Sequence, residues 1–89
     1  MATYDELMTA IIKKEISIVG REVALRIARS VPGIKVDDDG NVTDGTKAKL
    51  RSLANAYKEL SGGIAFVFAK KAIAPILTGK EDLPEELKS

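Results

Sequence analysis

Histidine and cysteine are both absent from this 89-residue chain. Its chemistry must come from carboxylates, lysines, arginines, hydroxyls and two tyrosines. The absence excludes an imidazole general base, thiol chemistry, a disulfide and a zinc site built from Cys or His. The run Asp37-Asp38-Asp39-Gly40-Asn41 invites a calcium reading. A calcium loop between two helices needs oxygens at positions 1, 3 and 5, glycine at 6 and glutamate at 12. Counted from Asp37, glycine falls at position 4 and Ala48 at position 12. The run therefore reads as a solvated hairpin turn.

Lys47, Lys49 and Arg51 open a helical stretch, where the helix dipole prefers anions. Three cations there suggest a grip on a phosphate or carboxylate, assisted by free backbone N–H groups. Such a site would bind an anion, a nucleic acid or a membrane surface. The plainer reading is neutralisation by Asp37, Asp38, Asp39 and Asp44 just upstream. Arg21, Arg26 and Arg29, with Glu22, form a second charged face. It reads as a salt-bridged solvent face, or as an arginine patch for an acidic partner. Tyr4 and Tyr57 fall on apolar stripes and read as core or boundary residues. Gly62-Gly63 follows a helical stretch rather than a strand, so it lacks the context of a dinucleotide-binding loop. No nucleophile has a base near it in sequence, and no enzymatic activity is expected.

Composition frames these groupings. Apolar residues make up 45% and charged residues 30%, and net charge is +1 from 14 basic and 13 acidic side chains. That balance is ordinary for one small globular domain. It lacks the basic excess of a dedicated nucleic-acid binder. The start, Met1-Ala2-Thr3-Tyr4-Asp5-Glu6, is acidic rather than a signal peptide. With no cysteine, a cytoplasmic location is expected. The longest near-apolar stretch, Ile64 to Leu77, is broken by Lys70-Lys71 and Pro75. It falls short of the about 20 residues that span a bilayer.

The elements that position these residues are legible from periodicity. Thr3-x-x-Glu6 is a capping box, followed by Tyr4, Leu7, Met8, Ile11, Ile12, Ile16 and Val19 at helical spacing. Periodicity dips at Gly20 and resumes with Val23, Ala24, Ile27, Ala28 and Val31. Two helices are expected there, or one weakened at Gly20. Ile34-Lys35-Val36 and Val42-Thr43 flank the acidic turn as a hairpin. Asp44 or Thr46 caps a third helix, with Leu50, Leu53, Ala54, Tyr57 and Leu60 on its stripe. A fourth helix runs from Ile64 to Ala74 or Leu77, where Pro75 and then Thr78-Gly79 stop it.

Leu53-x3-Tyr57-x2-Leu60-x-Gly62-Gly63-Ile64-Ala65, followed by Lys70-Lys71-Ala72, resembles helical tail segments of some prokaryotic signalling proteins. Gly63 stands where those segments usually carry proline. The resemblance covers about residues 53–72. It implies a regulatory or interaction module without catalysis, and it assigns no functional residues.

The expected fold is mostly α: four helices, or three with the first two fused, and a small hairpin between the second and third. Residues 1–79 make the domain and 80–89 a charged tail, with Leu83 and Leu87 spaced to pin a last turn. The expected core is Leu7, Ile11, Ile16, Val23, Ile27, Leu50, Leu53, Tyr57, Ile64, Val67, Phe68 and Ile73. The fourth helix is apolar all round, so it must be covered on every side or meet a partner. Its small residues Ala65, Ala69 and Ala72 would permit close approach, and Phe66 or Phe68 would anchor it. The expected function is therefore a non-enzymatic protein–protein interaction or regulatory module, homo-oligomeric through that helix, with no cofactor or metal. Two other readings stay open. One is anion, nucleic-acid or membrane-surface binding through Lys47, Lys49 and Arg51. The other is a small-molecule pocket between helices.

Overall fold

The Thr3 hydroxyl accepts from the Glu6 N–H at 3.1 Å and the Glu6 carboxylate accepts from the Thr3 N–H at 2.9 Å. This reciprocal cap starts α1 (Tyr4–Val19). A computed structural model describes residues 1–88. After α1 come α2 (Arg21–Arg29), β1 (Lys35–Val36), β2 (Val42–Thr43), α3 (Lys47–Ser61) and α4 (Ile64–Ile73). Short 3-10 turns follow at Ala74–Ile76, which contains Pro75, and at Glu85–Leu87.

The first two helices are separate. Gly20 sits between them at φ +90°, a conformation that side chains other than glycine resist. The strands pair antiparallel, Lys35 with Thr43 and Val36 with Val42. The hairpin leans on α1. The Val42 N–H donates to the Thr9 hydroxyl at 2.9 Å. Gly40 is buried at φ +92°, and a Cβ there would lie 3.1 Å from Ile12 Cγ2 and 3.2 Å from Ile16 Cδ1. Thr46, not Asp44, caps α3 by accepting from the Lys49 N–H at 3.1 Å.

The core gathers Leu7, Met8, Ile11 and Ile12 of α1, Leu25 and Ala28 of α2, Leu50, Leu53, Ala54 and Tyr57 of α3, and Ala65, Ala69 and Ile73 of α4. The central element is α1, which packs on α2, α3, α4 and β2. The expectation of Ile64, Val67 and Phe68 in the core is corrected. Ile64 is 52% exposed and Val67 44%, and Phe68 is half-buried outside the core cluster. The reason is that α4 turns its alanines inward and packs on α1 and α3 from one side. Ile16 and Ile27 lie at the core's edge and Val23 is half-buried.

Residues 80–88 do not hang free. Pro84 and Leu87 are buried, and the turn at Glu85–Leu87 packs on α4. The anticipated last turn thus forms, and it docks the segment onto the helical body.

Candidate functional site

The basic start of α3 is met by the chain's own acids. Lys47 Nζ pairs with Asp82 at 3.0 Å and Arg51 Nε with Glu86 at 2.8 Å. Lys49 Nζ donates to the Asp44 carbonyl at 2.8 Å, and Asp44 itself pairs with Lys35 at 2.9 Å. Glu86 also accepts from the Asn55 amide at 3.1 Å. The Arg51 guanidinium, then the Asn55 amide, hold the Glu86 carboxyl down to about 2. Glu81, which accepts from the Ala2 N–H and from Thr78, is likewise held at about 2. The neutralising acids are mostly those of the C-terminal segment, brought back by the anchors Pro84 and Leu87. Sequence spacing pointed to Asp37, Asp38, Asp39 and Asp44. Among the described residues, Asp44 alone of these meets the start of α3, through its carbonyl and Lys49.

Those upstream acids serve the hairpin. Asp37 Oδ1 accepts from the N–H groups of Asp39 and Asn41, each at 2.9 Å, and Oδ2 from the Asn41 amide at 3.2 Å. The Asn41 backbone bond leads the causes that lower the Asp37 carboxyl pKa. Asp38 pairs with Arg29 at 2.9 Å. Among the described residues, no three acidic side chains converge as a metal site.

The second candidate is α4, and its two sides differ. Ala65 and Ala69 face inward, each 2% exposed, and Ala72 and Phe66 pack against the core. Lys58 Nζ lies 5.5 Å from the Phe66 ring centroid, a cation–π contact that pins this ring to α3. Of the five expected interface residues, only Phe68 is left off the core. Ile64, Val67 and Phe68 are spaced three and four apart, so they share the outer side of α4. Among the described residues, the exposed large apolar side chains are Met1, Ile18, Leu60, Ile64, Val67 and Ile76. Four of these six fall between residues 60 and 76, so the exposed apolar surface concentrates around α4.

A buried carboxyl went unnoticed in the sequence. Glu15 is 2% exposed, and its Oε1 has no hydrogen-bond partner among the described residues. Burial raises its pKa. Tyr57, whose hydroxyl donates to the Ala24 carbonyl at 2.8 Å, feels its own burial and then the charge of Glu15, and its pKa is raised. The signal was available, since Glu15 follows Ile11 by four residues and Ile12 by three, on the apolar stripe. Arg21, Arg26 and Arg29 are exposed on α2, Arg29 held by Asp38.

No helix among the described residues is long and apolar enough to cross a membrane. Compared with protein-family models, curated proteins and solved structures, the chain matches none.

Proposed function

We propose that this chain is a non-enzymatic interaction module that self-associates through the outer side of α4. The observation that carries the reading is the exposure of Ile64 and Val67 beside a half-buried Phe68 on one helical face. A monomeric domain rarely keeps large apolar residues gathered on one face. A second copy is the occupant favoured, because closed two-fold dimers are the commonest assembly and need only one self-complementary face. The basic start of α3 is disfavoured as the main site, since its cations are engaged by Asp82, Glu86 and Asp44. The resemblance to regulatory tail segments agrees with a role in assembly.

The absence of cysteine supplies a clean test. Val67→Cys should form a disulfide-linked dimer under mild oxidation, because a residue near a two-fold axis meets its own copy. Ser52→Cys, exposed on α3 away from α4, should stay monomeric. Equal cross-linking of both variants, or none in Val67→Cys, would refute the reading.

A further inference from the structure

We propose that the concavity between α2 and the hairpin tip docks an acidic peptide segment of a partner protein, independently of the α4 face. Arg21, Glu22, Leu25, Arg26, Arg29 and Asp38 line it, in a volume of about 720 Å³. Leu25 forms an apolar floor, 5% exposed, with Arg21 and Arg29 one turn to either side of it and Arg26 at the border of the concavity. Neither Arg21 nor Arg26 lies within ion-pair distance of an acid among the described residues. Arg29 does hold a carboxylate, that of Asp38 at 2.9 Å, whose side chain is 93% exposed. A pair that exposed is weak and exchanges readily for an incoming carboxylate. The groove thus already binds, within the chain, the group it would take from a partner.

Guanidinium forks match carboxylates two bonds at a time, and the Leu25 floor suits an apolar side chain between two acids. Glu22 and Asp38 line the same concavity. They would repel the unbroken phosphates of a nucleic acid, yet they tolerate a peptide whose charges are spaced. The chain's net charge of +1 and 4% aromatic content point the same way.

The test is an NMR titration of the isotope-labelled full chain at low salt with a short peptide of alternating Glu and Leu. Shifts should concentrate in residues 21–29 and 37–41, and an alternating Lys and Leu peptide should produce none. The double variant Arg21→Gln/Arg26→Gln should weaken binding roughly three- to tenfold, the loss of two exposed ion pairs. Lys80→Gln/Lys88→Gln removes the same charge away from both α2 and α4 and should leave binding unchanged. The proposal is overturned by an absence of shifts, by shifts centred elsewhere, or by equal weakening in both double variants. It is also overturned if a DNA duplex moves the same resonances at lower concentration than the peptide.

Discussion

Two buried polar side chains set the residue-scale behaviour of this protein. Tyr57 satisfies its hydroxyl on the Ala24 carbonyl and so ties α3 to α2. Tyr57→Phe should cost about 1 kcal/mol in chemical denaturation, the net worth of one neutral hydrogen bond. Glu15 has no such partner at Oε1 among the described residues. Its folded pKa is raised by burial, so the ionised form opposes folding. Its contribution is most favourable below the ordinary carboxyl range and is lost as pH rises through the raised value. Glu15→Gln should therefore raise the melting temperature at neutral pH, with the gain shrinking in acid. A loss of stability at neutral pH that shrinks in acid would instead reveal a cation that holds the carboxylate. Glu81 and Glu86 act in the opposite sense. Their folded values of about 2 lie below the ordinary range near about 4.3. Their stabilisation is present above that range and disappears as pH falls toward 2. The Ala2 and Thr78 amide resonances, whose N–H groups donate to Glu81, should titrate near 2. A midpoint at the ordinary carboxyl value would mean that the C-terminal segment is not held as described.

At the scale of elements, the hairpin and the C-terminal segment show where tertiary contact takes over from local pattern. Gly40→Ala would place a Cβ in a positive-φ position against Ile12 and Ile16, and should cost about 1–3 kcal/mol. Gly20→Ala has nothing within 4 Å and should cost only about 1–2 kcal/mol, the backbone penalty alone. Urea denaturation of the two variants compares them directly. The dip at Gly20 left one helix or two open, whereas the third and fourth helices, the capping box and the hairpin were legible because each is written within a few neighbouring residues. The orientation of α4 was not. Its sequence, Ile-Ala-Phe-Val-Phe-Ala, is apolar in every direction, so periodicity names no inner side. Only packing decided that Ala65 and Ala69 turn inward while Ile64 and Val67 turn out. Likewise the acids that meet Lys47 and Arg51 lie 35 residues away in sequence, beyond any local signal.

For the whole molecule, the question is whether the outer side of α4 is large enough to hold a second copy. A stable interface takes about 800 Å² from each partner. That is roughly a sixth of the chain's 4975 Å². A 10-residue helix is about 15 Å long and supplies only part of it. The exposed Leu60 and Ile76, which flank α4 in sequence, would have to contribute. Val67→Asp removes the apolar face at its centre. It should lower monomer stability by about 1 kcal/mol, since Val67 at 44% exposure is still partly covered within the monomer. Sedimentation equilibrium of the wild type beside Val67→Asp is the most direct measurement. Self-association through α4 requires a concentration-dependent dimer for the wild type and a folded monomer, with unchanged helical circular dichroism, for Val67→Asp. A wild type that remains monomeric at the highest attainable concentration, or a variant that dimerises equally well, would contradict it.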